Sequence, residues 1–159
     1  MDILIPEFKE LLLLLNKHKV NYMLIGGYAV IYYGYERTTT DMDIWLKPEN
    51  ENRDKLLSAL REFGIGKAGI EQVSKADFTQ IQCFFFGVKP RRIDFLTHIS
   101  GVTYTEAEEK VNYFPLKDEK VPIIQYHHLI LSKICNERPQ DKADVERLQQ
   151  INQFKNKKD

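Results

Sequence analysis

The sequence has no excess of charge of either sign and no hydrophobic run long enough to cross a membrane. Its 23 basic and 23 acidic side chains leave a formal net charge of zero at pH 7. Such a chain has no overall field that attracts nucleic acid or an acidic lipid surface, although local clusters can still do so. The leucine run Leu11–Leu15 is far shorter than the roughly 20 apolar residues that span a bilayer. We therefore expect no membrane partner.

Cysteine is scarce, and the amino-terminal residues do not have the pattern of a signal peptide. An acid, Asp2, stands where a signal peptide carries basic residues. The two cysteines, Cys83 and Cys135, form no pair with metal-binding spacing. We expect a cytoplasmic protein in a reducing compartment, with both thiols buried as small hydrophobic side chains.

The pattern of apolar residues predicts an α/β (α+β) fold, with helices packed on a small mixed β-sheet and a helical C-terminal end. The length favours one domain over 1–159, with a core at about 20–100 and C-terminal helices at about 122–152. The predicted helices cover about 6–17, 28–33, 48–64, 105–111, 123–135 and 140–151. The predicted strands cover 20–25, 38–46, 78–88 and 92–96, with a loop over 66–77 and a frayed tail over 155–159.

Two aspartates, Asp41 and Asp43, alternate with apolar residues in the strand over 38–46. Residues two apart on a strand point to the same face, so the two carboxylates can share one ligand. Magnesium prefers such hard oxygen ligands. A solvated strand face is the alternative, but aspartate is depleted in strands and the apolar residues 44–46 follow at once. This context favours a metal site.

A third acid and a pair of glycines lie near the ends of other predicted elements. Asp94 lies within an apolar strand, where the alternative to a functional role is an ion pair with Arg91 or Arg92. Gly26 and Gly27 lie between a strand and a helix. Glycine lets the backbone approach a ligand closely, and a helix start offers free N–H groups to an anion. The alternative is a plain turn.

In chain order, these motifs resemble the DNA polymerase beta-like nucleotidyltransferase superfamily. The motif-bearing part spans roughly 22–95, near half of the chain. The residue pattern of these motifs is similar to that of the small bacterial branch of the superfamily. This branch includes abortive-infection toxin-type enzymes and minimal nucleotidyltransferases paired with helical partner proteins. The residues that carry the resemblance are Leu24-Ile25-Gly26-Gly27-Tyr28-Ala29, Arg37-Thr38-Thr39-Thr40-Asp41-Met42-Asp43-Ile44 and Ile93-Asp94-Phe95.

The resemblance implies a nucleotidyltransferase fold and a set of site residues. Asp41, Asp43 and Asp94 would bind Mg²⁺ or Mn²⁺, and Asp94 would also act as the base that accepts the proton of the acceptor hydroxyl. The resemblance also extends to a segment after the core, whose basic residues could reach the triphosphate. The alternative interpretation of this segment is a solvated helix start, in which Asp141, Asp144 and Glu146 stabilise the helix dipole. The implied residues for the nucleoside triphosphate are Gly26, Gly27, Arg37, Thr40, Lys133, Arg138 and Lys142.

The sequence thus predicts an enzyme that moves a nucleoside monophosphate from a triphosphate to a hydroxyl acceptor and releases pyrophosphate. The acceptor stays open between a protein, a tRNA end and a small molecule. The alternatives are a catalytically weak antitoxin or regulator that docks to a protein partner through exposed aromatic residues, and a domain whose acids are structural. A binding-only domain would be free to lose one of the three aspartates, and all three are present. The C-terminal helices could also pair two copies into a homodimer.

Overall fold

A six-stranded mixed sheet forms the centre of the protein in a computed structural model, which describes residues 3–158 and the side chains of residues 3–157. The strands are β1 Tyr22–Ile25, β2 Asp41–Leu46, β3 Cys83–Phe86, β4 Arg92–Leu96, β5 Asn112–Leu116 and β6 Glu119–Ile123. Their order in the sheet is β3-β4-β2-β1-β6-β5. The pairs β1–β2, β3–β4 and β5–β6 are antiparallel, whereas β2–β4 and β1–β6 are parallel. The predicted α/β class with a small mixed sheet is confirmed.

Helices pack on this sheet and extend to the C-terminal end of the described chain. Pro6 begins the first helix, where its fixed φ and missing N–H suit the first turn. Within residues 3–158 the helices are α1 Pro6–Lys17, α2 Gly26–Tyr32, α3 Asn50–Phe63, α4 Lys67–Ser74, α5 Tyr104–Glu108, α6 Tyr126–Ile134 and α7 Pro139–Lys158. None of them is both long enough and apolar enough to cross a membrane.

The register of the two central parallel strands brings the predicted acids to one place. In β2, the apolar side chains of Met42 and Ile44 are fully buried, whereas Asp41 and Asp43 are half-buried on the other face. β4 runs parallel to β2 and places Asp94 directly opposite Asp43. Three carboxylates from two strands therefore lie on the same face of the sheet.

The predicted loop over 66–77 is wrong, because this segment contains helix α4. The polar composition of the segment and its glycines had predicted a loop. Gly69 instead allows close helix packing, since a Cβ there would lie 2.8 Å from atoms of both Ile65 and Phe86. The buried Val73 anchors the helix to the core.

The predicted strand over 78–88 is shorter in the structure, and a strand pair was missed. Only Cys83–Phe86 is strand, because the preceding residues form a turn in which Asp77 accepts hydrogen bonds from Thr79. The hairpin of β5 and β6 was not predicted, because its two prolines suggested breaks in regular structure. Pro115 lies on the outermost strand, where a missing N–H costs no sheet hydrogen bond on the open side.

Two further expectations are corrected by the structure. Both Cys83 and Cys135 are exposed and free, so the predicted burial of the thiols is wrong. The tail over 155–159 was expected to be frayed, but α7 continues through Lys158. Asp159 lies outside the described residues.

Candidate metal centre and cleft

Three carboxylates converge on the face of the sheet formed by β2 and β4. Asp41, Asp43 and Asp94 each offer an oxygen, and these oxygens all lie within 4.8 Å of one another. All three side chains are half-buried, so they remain accessible from a cleft. The structure thus brings together the three acids that the sequence singled out.

The acid cluster is short of positive charge. The pKa of Asp43 is raised from 3.8 to about 7 by burial, then by the charges of Asp94 and Asp41 and a hydrogen bond with Asp94. Lys133 opposes this shift but does not cancel it. Like-charged groups at such short range cannot all ionise without a compensating cation. A divalent cation would supply that compensation.

Arg92 is the ion-pair partner of Asp94, as one alternative reading of the sequence foresaw. Its Nε donates a hydrogen bond of 2.7 Å to Asp94 Oδ1. The guanidinium also lies over the ring of Phe85, 4.1 Å from its centroid, which is a cation–π contact. Asp94 is therefore both an ion-pair partner and a member of the acid cluster, so the two readings are compatible.

Gly26 and Gly27 let the start of α2 approach the acids and the segment before β2. Gly26 has a φ of +68°, and a Cβ on it would fall on Asp43 Oδ2. A Cβ on Gly27 would lie 2.5 Å from Thr39 Oγ1. Only glycine fits either position without displacing these neighbours. The glycine pair is thus a close-approach site rather than a plain turn.

Two adjoining cavities open beside the acid cluster. We call them the first chamber, of about 340 Å³, and the second chamber, of about 310 Å³. The first is lined by Ile25, Gly26, Asp41, Asp43, Asp94, Leu96, His98, Ile99, Ser100, Leu129, Ser132, Lys133, Asn136, Arg138 and Asp141. The second is lined by Gly26, Gly27, Arg37, Thr38, Thr39, Thr40, Asp41, Asp43, Lys133, Arg138, Gln140 and Asp141.

The second chamber gathers most residues that the sequence assigned to the nucleotide. Thr40 lies at its edge and donates a hydrogen bond of 2.9 Å to Asp41 Oδ1. Lys142 is placed elsewhere. It is exposed and lines a separate depression with Val145 and Gln149. The residues that do line the second chamber are Gly26, Gly27, Arg37, Thr40, Lys133 and Arg138.

The acids at the start of α7 are not uniformly solvated. Asp141 and Asp144 are 1% and 0% exposed, so the alternative of a solvated helix start is wrong for these two residues. Glu146, on the same helix, is exposed. The burial follows from the packing of α7 on α6, which no local sequence pattern reveals.

Sequence reasoning missed the residues that give the first chamber its outer wall. His98, Ile99 and Ser100 lie two to four residues after the end of β4, the strand that carries Asp94. Asn136 faces them from the end of α6, and Ser100 Oγ lies 3.3 Å from Asn136 Oδ1. Their position just beyond an acid-bearing strand is a signal that could have identified the first three. Asn136 had no such signal.

Comparison with known proteins supports the fold. No family model and no curated protein matches the sequence. Among solved structures, the lincomycin-bound lincosamide antibiotic adenylyltransferase LnuA superposes with a TM-score of 0.54. The two chains are 17% identical, and the match covers 91% of this chain and 96% of that one. At this identity the likeness shows a shared nucleotidyltransferase fold.

Proposed function

We propose that this protein is a metal-dependent nucleotidyltransferase, which moves a nucleoside monophosphate from a nucleoside triphosphate to a hydroxyl acceptor and releases pyrophosphate. The observation that carries the proposal is the convergence of Asp41, Asp43 and Asp94 within 4.8 Å of one another. The cluster lies beside the glycine pair, on a fold shared with an adenylyltransferase.

The donor set fits a hard divalent cation. Carboxylate oxygens suit Mg²⁺ and Mn²⁺, and burial together with the negative charges of Asp94 and Asp41 raises the pKa of Asp43. Asp41, Asp43 and Asp94 would hold the metal. When bound, Mg²⁺ or Mn²⁺ would neutralise the phosphates and stabilise the charge that develops on the attacking and leaving oxygens.

The two chambers support a division between the substrates. The second chamber is lined by hydroxyl groups and by the basic residues Lys133 and Arg138, which suits a triphosphate. Asp94 lines the first chamber and not the second. We therefore assign the triphosphate to the second chamber and the acceptor hydroxyl to the first.

The transfer requires positioning and one proton acceptor. The hydroxyl oxygen of the acceptor attacks the α-phosphorus and forms a new O–P bond. The bond between the α-phosphorus and the oxygen that bridges to the β-phosphorus breaks, and its electrons leave with pyrophosphate. Asp94 accepts the proton of the hydroxyl as general base, while Lys133 and Arg138 face the negative charge of the leaving group.

A small hydroxyl-bearing molecule is the acceptor class that we propose to test first. The structural neighbour is an adenylyltransferase of a lincosamide antibiotic, which is a small molecule. The zero net charge gives no general attraction for a tRNA, whose phosphates dominate such affinity. A protein hydroxyl is the next class to test.

Calorimetric titration with a non-hydrolysable ATP analogue, with and without Mg²⁺, tests the proposal. We expect Mg²⁺-dependent binding to the wild type and none to the double variant Asp41→Asn/Asp43→Asn. Asp118→Asn, an exposed acid in the β5–β6 turn, is the matched control and should bind as the wild type does. If no ATP, GTP, CTP or UTP analogue binds the wild type, the proposal is wrong, and docking to a protein partner becomes the better reading.

A further inference from the structure

Two buried carboxylates on helix α7 lie next to the two chambers, both of which are lined by Asp141. Asp141 and Asp144 are three residues apart on α7, so they lie on the same face of the helix. They are 1% and 0% exposed. A buried carboxylate is costly unless it is paired and hydrogen-bonded, so this arrangement requires partners of opposite charge.

Lys133 on α6 pairs with both carboxylates at once. Its Nζ lies 3.2 Å from Asp141 Oδ1 and 2.8 Å from Asp144 Oδ2. The lysine is only 7% exposed, and it lines both chambers. An ammonium has three donors, and the two carboxylates account for two of them. The third remains for a ligand in the cleft.

Arg37 is held by the same helix. Its Nε and Nη2 donate to the two oxygens of Asp144, at 2.9 and 3.0 Å. Its Nη1 donates to the carbonyl oxygen of Thr38 at 2.9 Å. Each of the three guanidinium nitrogens therefore already donates to a protein atom, which uses three of the five N–H donors of Arg37. Arg37 fixes the segment 38–40, which forms one wall of the second chamber.

Arg138 completes the cluster from the loop before α7. It donates to both oxygens of Asp141, at 2.6 and 3.2 Å. Three cations thus face two carboxylates, so this cluster carries one net positive charge, which lies beside Asp41 and Asp43 in the second chamber. Burial alone raises the pKa of Asp144, but hydrogen bonds from Lys133 and Arg37 outweigh it and lower that pKa, so the carboxylate is ionised near neutral pH.

We propose that Asp144 and Asp141 are positioning residues that hold the Lys133 ammonium against the phosphates of the nucleotide. This inference rests on the proposed function, because it takes the ligand to be a nucleoside triphosphate. It gives helix α7 a role in the site. A cluster that served stability alone has no need to converge here, since buried ion pairs add little net stability over apolar packing.

The test compares the Mg²⁺ complexes of a non-hydrolysable ATP analogue and of AMP by calorimetry on the full chain. We expect Asp144→Asn to weaken binding of the ATP analogue about tenfold or more, because a charge-assisted contact to phosphate is lost. The loss for AMP should be smaller, since AMP has fewer phosphates. In a Lys133→Met background, Asp144→Asn should cause little further loss. Glu146→Gln removes an exposed charge from the same helix and should bind as the wild type does.

The outcomes separate this inference from the proposed function. If the wild type binds no nucleotide, both the positioning role and the proposed function are wrong. If the wild type binds but Asp144→Asn binds equally well, or loses as much in the Lys133→Met background, the positioning role is wrong and the proposed function stands. Circular dichroism establishes that each variant is folded. If Asp144→Asn does not fold, Asp141→Asn gives the same test, because Asp141 holds the same ammonium.

Discussion

Asp43 on β2 lies directly opposite Asp94 on β4, and their carboxylate oxygens lie within 4.8 Å of each other in the acid cluster. This arrangement needs a proton in the absence of a metal, because two neighbouring carboxylates repel each other when both are ionised. The relationship makes the chemistry of the cleft sensitive to pH and to divalent cations.

The first prediction concerns the stability of the metal-free protein between pH 4 and 7. The pKa of Asp43 is raised from 3.8 to about 7, so the folded state binds a proton that the unfolded state has released. The stabilisation is fully present below the unfolded pKa and is lost as the pH rises through about 7. Urea unfolding should therefore show stability that falls with rising pH in this window. Asp43→Asn should remove the slope, and Asp118→Asn should keep it. Equal slopes in wild type and Asp43→Asn would contradict the assignment.

The second prediction distinguishes two effects of a side chain at Gly26, which are the clash of its Cβ with Asp43 and the strain of a positive φ. Gly26→Ala meets both a positive φ and a clash with Asp43, whereas Gly64 has a φ of +100° and nothing within 4 Å of its added Cβ. Each variant should lose about 1–3 kcal/mol of unfolding free energy from strain. Only Gly26→Ala should also lose Mg²⁺ binding, measured by calorimetry. Retained Mg²⁺ affinity in Gly26→Ala would show that Asp43 does not need the glycine.

The third prediction concerns the contribution of Asp144 to stability at low pH. Its pKa lies below the ordinary value of 3.8, since the bonds from Lys133 and Arg37 outweigh the effect of burial. Asp144 therefore contributes to the free energy of unfolding at a pH above its pKa in the unfolded state. This contribution is lost as the pH falls through its pKa in the folded state. At pH 7, Asp144→Asn should lower the unfolding free energy by about 1.5–3 kcal/mol. In urea titrations, the gap to the wild type should narrow below about pH 4. A gap that is the same at pH 3 and pH 7 would be inconsistent with an ionised Asp144.

The fourth prediction uses Cys83 as a chemical reporter of the cleft. Partial burial raises the pKa of this exposed thiol, and the charges of Asp94 and Asp43 add to that shift while Arg92 opposes it. Mg²⁺ bound to the acids would offset their charge, lower this pKa and increase the thiolate fraction. Alkylation by iodoacetamide at pH 8 should then be faster with Mg²⁺. Cys135 serves as the internal control and should react at an unchanged rate. Mass spectrometry of the two peptides distinguishes the sites, and equal rates for Cys83 with and without Mg²⁺ would count against a metal at the cluster.

The three aspartates of the site could be predicted from the sequence because the pattern that identifies them is local. Asp41 and Asp43 lie two residues apart in an apolar strand, and Asp94 lies in another, so strand periodicity and chain order identified all three. The parallel register that places Asp94 opposite Asp43 is a tertiary fact, although the resemblance to a nucleotidyltransferase implied that the acids meet.

The parts that were not predicted depend on long-range packing. Asp141 and Asp144 have the polar spacing of an exposed helix start, and only the docking of α7 beside Arg37 and Lys133 explains their burial. The hairpin of β5 and β6 was missed because its prolines suggested breaks. Pro115 is accommodated by its place on the outer strand, which is a property of the sheet order and not of the segment.

The cluster around α7 also makes the cleft and the C-terminal end of the chain parts of one cooperative unit. Arg37, Lys133 and Arg138 all find their carboxylate partners within the first two turns of this last helix. A chain cut before Pro139 would leave all three cations without those partners beside the acidic strands. Assembly of the cleft therefore requires the 20-residue helix α7 to dock, so local unfolding of this helix would disrupt the binding site.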